Sequence, residues 1–196
     1  MRTSQWAGIR YWDMKKKIES MVQLSLAQRL IGMKNRILQA LARSAGTQTW
    51  RVRLHRWRGV KIATDVHISS DVIVEIECPH WVSIGNNVQI GVRTTIIAHM
   101  HGLPPTKEEF EDKEYVSVRI EDNANIGAGA MILPNVTIGH GAVVTAGSIV
   151  SSSVPPLTMV QGNPARPIAQ CGIPLTWEIP IKEFFRKLRP IREKNI

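Results

Sequence analysis

The chain has 196 residues, of which 43% are hydrophobic, and a formal net charge of +9. This length supports one folded core with appendages. It contains no uninterrupted apolar stretch of the roughly 18 to 20 residues that a membrane-spanning helix needs, and no convincing signal-peptide cleavage site. The two cysteines, Cys78 and Cys171, provide no disulfide framework, so a reducing, cytoplasmic environment is expected.

Charge is distributed unevenly along the chain. Residues 1–59 contain 13 Lys or Arg and 2 acidic residues, residues 60–172 contain 6 and 11, and residues 173–196 contain 6 and 3. The central part is therefore acidic and both ends are basic. Basic arms can cap a solenoid, contact anionic lipid or an anionic substrate, or bind nucleic acid. Because no nucleic-acid-binding motif accompanies the charge, nucleic acid is not an expected partner.

Residues 1–58 are predicted to form a basic helical extension. Between residues 13 and 42, apolar residues recur at the spacing of an amphipathic helix: Ile18, Val22 and Leu26, then Met33, Ile37 and Leu41. In Trp50–Trp57, apolar and basic residues alternate, which predicts an edge strand that leads into the core. Residues 1–44 either cap the core or contact an anionic membrane peripherally, at its inner face.

Aliphatic residues then recur at intervals of six, in two runs: Ile84, Ile90 and Ile96, and Ile120, Ile126, Ile132, Ile138, Val144 and Val150. A helix repeats its apolar face every 3.6 residues and a strand every 2, so this pattern indicates a hexapeptide solenoid. Three hexads make one triangular coil, and residues 18 apart should stack. The predicted ladders are Ile84 with Ile120 and Ile138, Ile90 with Ile126 and Val144, and Ile96 with Ile132 and Val150.

The same spacing locates two interruptions in the solenoid, which is assigned to residues 59–170. Ile62, Ile68 and Val74 keep the interval upstream, but Val74 lies ten residues before Ile84, which predicts a four-residue bulge around residues 77–80. Ile96 lies 24 residues before Ile120, and a further coil there would bury Glu108 and Glu114 at a large desolvation cost. Residues 101–117 are therefore predicted to form an excursion loop.

Residues 171–196 are predicted to form a basic tail with a short helix over Ile181–Leu188, before Pro190. Among the histidines, His55 and His67 are interpreted as surface residues. His80 is assigned to the four-residue bulge and His140 to the turn Gly139–Gly141, both with structural roles. His99 and His101 differ, because they follow the last hexad before the excursion loop. A histidine held at a coil edge beside a loop is well placed to act as a general base.

Five segments carry a resemblance to a known family: Val82–Val88, Ile126–Ala130, Ile132–Gly139, Val154–Pro156 and Gly162–Arg166. Together they resemble the hexapeptide-repeat acyltransferases, most closely the maltose, galactoside and nodulation O-acetyltransferases and their colanic-acid and O-antigen relatives. The resemblance implies a mainly β fold, a left-handed parallel β-helix, here with an N-terminal helical basic extension and a short C-terminal helix. It also implies a homotrimer with active sites between neighbouring subunits.

The resemblance also implies roles for particular residues. It maps the catalytic histidine to His99, with His101 as the runner-up. It also implies that acetyl-CoA is the co-substrate and that no metal is required. Backbone amides at Ala128 and Ala146 would line the pantetheine track, next to Gly127. Ser151 would lie near the adenine end of the cofactor, and Arg166 would face its phosphates. Relatives commonly carry Trp at Asn125 and a second basic residue at Ala169, so the cofactor channel and the phosphate contacts are expected to differ.

The expected function is acetyl-CoA-dependent O-acetylation of a sugar hydroxyl in surface polysaccharide or lipopolysaccharide biosynthesis. The transfer would be direct, with a carbohydrate acceptor and His99 as the base. An N-acetyltransferase that acts on a nucleotide-linked amino sugar is the alternative. A γ-class carbonic anhydrase-like zinc protein has the same solenoid, but it needs three zinc-binding histidines, and no third histidine lies at a suitable spacing from His99 and His101. The sequence does not identify the acceptor.

Overall fold

The computed structural model describes residues 26–99 and 117–191. Helices α1 (Leu26–Ser44) and α2 (Gln48–Arg58) come first, a 3-10 turn spans Pro79–Trp81, and α3 (Ile181–Lys187) lies near the end. The strands are β1 (Lys61–Ile62), β2 (His67–Ile68), β3 (Ile73–Val74), β4 (Val82–Ile84), β5 (Gln89–Ile90), β6 (Thr95–Ile96), β7 (Val118–Ile120), β8 (Asn125–Ile126), β9 (Met131–Ile132), β10 (Thr137–Ile138), β11 (Val143–Val144), β12 (Ile149–Val150), β13 (Thr158–Gly162), β14 (Ala165–Gln170) and β15 (Arg189–Pro190).

The strands build a three-sided parallel β-helix. Strands β1, β4, β7 and β10 form the first face, and β3, β6, β9 and β12 form the third. The second face contains β2, β5, β8 and β11, extended by β13, β14 and β15. Each predicted interior ladder is present as Cα partners: Ile84–Ile120–Ile138, Ile90–Ile126–Val144 and Ile96–Ile132–Val150. The predicted fold and the stacking of residues 18 apart are confirmed.

The hexapeptide pattern follows from what each position must do in a coil. The ladder residues are buried, and burial of one Ile or Val side chain stabilises the fold by roughly 1.5–3 kcal/mol. Three residues after a ladder position, the backbone turns the corner in the left-handed region, for example at Asn123, Gly129 and Asn135. Asn, Asp and Gly occupy this region at the lowest steric cost, which explains their recurrence at this slot.

Both interruptions fall at one corner, where the chain passes from the third face to the first. Ile62 pairs with Ile84, 22 residues later, whereas a regular coil has 18 residues. The four additional residues lie at this corner, where the chain also forms the 3-10 turn. Ile84 then pairs directly with Ile120, 36 residues later, so β4 and β7 are direct neighbours on the first face. The excursion loop predicted over 101–117 lies outside the described residues, except for its last position, residue 117.

The prediction of an edge strand over Trp50–Trp57 is wrong, because this segment lies in helix α2. Thr47 is the N-cap and accepts a hydrogen bond from the Trp50 amide at 3.5 Å, and Gly59 ends the helix with φ of 106°. These are ordinary start and stop signals of a helix. The predicted helix over 13–42 begins outside the described residues, and its described part belongs to α1.

Helices α1 and α2 cap the first coil with side-chain donors. Gln39 Nε2 donates to the Val72 carbonyl at 2.9 Å, and Arg51 Nε donates to the Ile68 carbonyl at 2.6 Å. Arg56 Nε donates to the Ile62 carbonyl at 3.1 Å. The first coil would otherwise expose these carbonyls as an open sheet edge, so the capping function considered for the basic arm applies to residues 26–58.

The other end of the stack is closed by an antiparallel hairpin of β13 and β14 and by α3. Phe184 of α3 is buried against Val143 and Cys171 in a second apolar cluster. The short C-terminal helix is therefore present, ending one residue earlier than predicted. Cys78 and Cys171 are free thiols. Within residues 26–99 and 117–191, none of the helices has both the length and the apolar character required to cross a membrane.

The interpretation of His55 as a surface residue is wrong. It lies on the face of α2 that packs on the first coil and is 1% exposed. Its Nδ1 lies 3.0 Å from Arg58 Nη1. Burial, and secondly the nearby Arg58 cation, lower the pKa of His55 to about 3. The imidazole is therefore neutral in the folded protein at neutral pH.

The buried neutral His55 predicts that stability falls in mildly acidic solution. An unfolded His binds a proton below about pH 6.5, whereas folded His55 does not until about pH 3. Each pH unit within this window should lower the free energy of unfolding by up to about 1.4 kcal/mol. Denaturant unfolding between pH 7 and 5 measures this slope. His55→Asn keeps an acceptor for Arg58 and should leave a smaller slope. His67, whose pKa is lowered by burial and by Arg51, contributes to that remainder. An unchanged slope would contradict the assignment.

Candidate active site

His99 lies at the corner between the third and first faces, three residues after β6 ends. The side chain of His99 is 12% exposed, and its Nδ1 lies 2.7 Å from Oε2 of Glu75. Glu75 follows β3 on the preceding coil, and its amide donates to the Ile96 carbonyl at 2.8 Å. The stacking of β3 on β6 therefore holds the histidine and the carboxylate together, although 24 residues separate them.

Glu75 is 3% exposed, yet both oxygens of its carboxylate accept hydrogen bonds. Oε2 accepts from the Ala98 amide at 2.8 Å as well as from His99. Oε1 accepts from the amides of Glu77 at 2.8 Å and Cys78 at 3.2 Å. Burial alone would raise the pKa of Glu75, but the hydrogen bonds from Ala98, His99, Cys78 and Glu77 outweigh it and lower the pKa. Glu75 is therefore ionised at neutral pH.

This geometry fixes the tautomer of neutral His99. An ionised carboxylate can only accept, so Nδ1 carries the proton and donates it to Glu75. Nε2 then has the basic lone pair. The Glu77 carboxylate lies 3.7 Å from Nε2 and is 59% exposed, so it can stabilise the imidazolium once Nε2 has taken a proton. In this arrangement the imidazole could act as a general base, with the carboxylate orienting it.

The guanidinium of Arg58 donates hydrogen bonds to the backbone at Glu75. This residue was not identified from the sequence. Arg58 is 3% exposed. Its Nη2 donates to the carbonyls of Val74, at 2.9 Å, and of Glu75, and its Nη1 donates to Gln39 Oε1. Burial lowers the pKa of Arg58 to about 10, while the Glu75 charge acts in the opposite direction, so Arg58 stays cationic. The capping helices thus contribute directly to the position of Glu75.

The cavity at His99 has a volume of about 270 Å³ and is lined by the following residues: Arg36, Ile73, Glu75, Ile76, Glu77, Thr95, Ile96, Ile97 and His99. It is smaller than most ligand pockets, which span about 300–1,000 Å³. A larger groove of about 810 Å³ lies on the first face and shares none of these residues. Size favours the first-face groove, but the oriented base is in the His99 cavity, which is therefore the candidate site.

Three of the predicted cofactor residues, Gly127, Ala128 and Ala146, lie on a different corner, between the second and third faces. Gly127 and Ala128 follow β8, and Ala146 follows β11 one coil later. A Cβ on Gly127 would lie 2.4 Å from the Ala146 nitrogen, so only glycine fits this stack. Ala128 and Ala146 are exposed and form a smooth corner. His99 is at the opposite end of the third-face strands, so a single chain does not bring it to this corner.

The remaining predicted site residues are scattered around the stack. Ser151 is exposed just after β12, on the same edge of the third face as His99, and Arg166 is exposed on β14. Asn125 donates from Nδ2 to Gln89 Oε1 at 3.1 Å on the second face. Ala169 is 3% exposed, so a basic side chain there could not simply extend into solvent. His101 lies outside the described residues. Within the described ranges, no cluster of three or more His, Cys, Asp or Glu side chains is arranged to hold a metal ion.

Comparison with known proteins identifies relatives. Residues 117–152 match the family "Bacterial transferase hexapeptide (six repeats)". YvoF of Bacillus subtilis, which is named as an acetyltransferase, is 37% identical over 68% of this chain and 74% of its own length. A protein of Schizosaccharomyces pombe that is also named as an acetyltransferase is 38% identical over 53% of this chain and 52% of its own length. The galactoside O-acetyltransferase of Lactococcus lactis is 35% identical over 41% of this chain and 39% of its own length.

Among solved structures, the hexapeptide-repeat acetyltransferase VCA0836 of Vibrio cholerae, complexed with acetyl coenzyme A, superposes with a TM-score of 0.59. It is 24% identical and covers 79% of this chain and 97% of its own. This likeness concerns the fold. The three-sided parallel solenoid agrees with the left-handed β-helix of hexapeptide-repeat proteins. The chain belongs to the hexapeptide-repeat acetyltransferase family.

Proposed function

We propose that the protein is an acetyl-CoA-dependent O-acetyltransferase that acts on a sugar hydroxyl, in the synthesis of a surface polysaccharide or lipopolysaccharide. The observation that carries the proposal is the Glu75–His99 pair at 2.7 Å. A sugar hydroxyl is a poor nucleophile at neutral pH, and an imidazole with a fixed basic Nε2 can remove its proton as it attacks a thioester. The galactoside O-acetyltransferase among the relatives supports a sugar as the acceptor.

In the proposed reaction, His99 Nε2 takes the proton of the acceptor hydroxyl while the oxygen bonds to the acetyl carbon. Glu75 keeps Nδ1–H in place and balances the positive charge on the ring, together with Glu77. The imidazolium then returns its proton to the leaving sulfur as the carbon–sulfur bond breaks. The small residues of the Gly127–Ala128 corner permit backbone N–H groups to approach the oxyanion. Arg166 would contact phosphates of the co-substrate and Ser151 its adenine end.

A direct transfer, without an acetyl-enzyme intermediate, is supported by the state of the nearest thiol. Cys78 donates its amide to Glu75 at 3.2 Å. Burial, and secondly the carboxylates of Glu75 and Glu77, raise the pKa of the Cys78 thiol to about 12. A thiol in this environment is protonated at neutral pH and is a poor nucleophile.

The proposal is tested by measuring the release of free CoA thiol with panels of hydroxyl and amine acceptors. Hydroxylamine treatment of the product separates the two candidate reactions, since an O-acetyl ester is cleaved and an N-acetyl amide is not. Turnover with a sugar hydroxyl, and a hydroxylamine-labile product, are expected. A stable product on an amino sugar would favour N-acetylation instead. This alternative merits the test because an N-acetyltransferase of Staphylococcus aureus is 40% identical over 45% of this chain.

We further propose that the active form is a homotrimer in which His99 of one chain faces the Gly127–Ala128 corner of the next. The support is that one chain separates these two parts at opposite ends of the third-face strands and offers a cavity of only about 270 Å³ at His99. Heterologous contacts of this kind close on themselves under cyclic symmetry. Light scattering should give a mass of three chains, and a fully active monomer would contradict the proposal.

A complementation experiment tests whether the sites are shared. His99→Ala and Ala128→Trp are each expected to be inactive, the second because a large side chain fills the exposed corner. When both variants are coexpressed in equal amounts, sites that combine intact His99 from one chain with an intact corner from its neighbour should restore about a quarter of wild-type activity. If each site is built within one chain, the mixture stays inactive.

A further inference from the structure

Helix α1 is oriented with its polar side toward the protein and its apolar side toward solvent. Asn35, Gln39 and Ala42 are 1–4% exposed against the solenoid and α2. In contrast, Leu30, Met33, Ile37 and Leu41 are 51–60% exposed. Their spacing of three and four residues places them in one stripe along the helix. A stripe this apolar normally faces a partner rather than water.

The stripe continues onto helix α2. Leu41, Trp50 and Trp57 line one shallow apolar depression, and the two indole rings lie 6.2 Å apart in an edge-on arrangement. Trp50 is 48% exposed and Trp57 is 57% exposed. We call Leu30, Met33, Ile37, Leu41, Trp50 and Trp57 the helical apolar surface. It is contributed wholly by the capping helices and contains no residue of the β-helix.

Helices α1 and α2 themselves carry charges of one sign only. From residue 26 to residue 58 the chain has eight Lys or Arg and no Asp or Glu. Arg58 is buried and Arg43 pairs with Asp71 at 2.5 Å, but Arg29, Lys34 and Arg53 are exposed. Lys34 Nζ donates to the Trp57 carbonyl at 3.3 Å, and the Arg53 guanidinium lies 5.5 Å from the centre of the Trp50 ring. Cations therefore border the apolar stripe and the indoles directly.

We propose that the helical apolar surface docks on an anionic lipid bilayer, with helices α1 and α2 lying in its interface. Aliphatic side chains would enter the acyl boundary, indoles favour the headgroup level, and the bordering cations would meet anionic headgroups. A second copy of the chain fits less well, because two such surfaces would bring cations of the same sign together. The proposal concerns a surface separate from the His99 cavity and does not depend on the acceptor.

Co-sedimentation of the full chain with vesicles tests the proposal. Binding to vesicles of phosphatidylcholine with about 30% phosphatidylglycerol should exceed binding to pure phosphatidylcholine by about tenfold or more, and it should weaken as salt screens the charges. Ile37→Glu should lower binding to the anionic vesicles by about tenfold, since it places a carboxylate within the apolar stripe. Ile181→Glu is the matched control, because Ile181 is 53% exposed, close to the 54% of Ile37, but begins helix α3 at the other end of the chain.

Three results would overturn the proposal. The wild-type chain could remain in the supernatant with anionic vesicles at low salt. Ile37→Glu and Ile181→Glu could bind equally well. Finally, Ile37→Glu could reduce the oligomeric mass in light scattering without an effect on vesicle binding, which would show that the helical apolar surface is an interface between copies of the chain. Circular dichroism of both variants confirms that helix content is unchanged.

Discussion

Replacement of His99 with Ala is expected to lower the turnover number by about 10² to 10⁴ and to leave the fold intact, because general-base catalysis contributes a factor of this size. The fold should tolerate the change, since Glu75 keeps three backbone donors, from Ala98, Glu77 and Cys78. The acetyl-transfer rate at saturating substrates measures the effect, and thermal unfolding checks the fold. His140→Ala is the matched control, because this exposed histidine lies on the corner between the first and second faces, away from His99.

His101 provides the decisive comparison for this assignment. It lies outside the described residues, and it follows the same hexad as His99 in sequence. His101→Ala is expected to reduce turnover much less than His99→Ala. If His101→Ala abolishes activity and His99→Ala is almost silent, the role of Glu75 as the orienting carboxylate is also wrong.

The second large effect is expected for Glu75→Gln, which should lower kcat by about 10 to 10³ with a smaller change in KM. The amide has nearly the shape of the carboxylate but lacks the charge that fixes His99 Nδ1–H and stabilises the imidazolium. Its NH₂ group would also face one of the amide donors around Glu75, so some loss of stability, about 1–3 kcal/mol, is expected from the unsatisfied buried groups.

Two further variants separate orientation of His99 from a purely structural role of Glu75. Glu77→Gln changes a mostly exposed carboxylate 3.7 Å from Nε2 and should reduce kcat far less. Arg58→Met removes the guanidinium behind Glu75 and is expected to lower both stability and kcat. If Glu75→Gln loses stability but keeps kcat within twofold of wild type, the carboxylate supports the fold and does not serve the base.

The β-helix could be predicted from the sequence in detail because its physical rule is local and strict. A three-sided coil repeats every 18 residues, so the position of one ladder residue fixes the next, and the pairs Ile120–Ile138 and Ile126–Val144 follow directly. The bulge before β4 was also predictable, since Val74 and Ile84 are out of step by four residues. A register shift of one residue would turn the apolar ladder side chains outward, so the register is unambiguous.

The capping helices and the carboxylate partner could not be predicted in the same way. The alternation of apolar and basic residues in Trp50–Trp57 favours a strand, although Val52, His55 and Arg58 also fit one helical face and Thr47 and Gly59 mark its ends. Tertiary packing of α2 on the first coil decided the outcome. The sequence pattern does not distinguish Glu75 from Glu121, because both directly follow a ladder residue. Glu75 reaches His99 only because two coils of unequal length stack on each other.

The corner between the third and first faces accommodates changes in chain length. Extra residues inserted there leave all three ladders in register, as the 22-residue and 36-residue spacings of successive coils demonstrate. The same corner holds His99 and Glu75. New acceptor specificities could therefore arise through insertions, deletions or loop exchange at this position alone, while the buried core and its folding remain untouched.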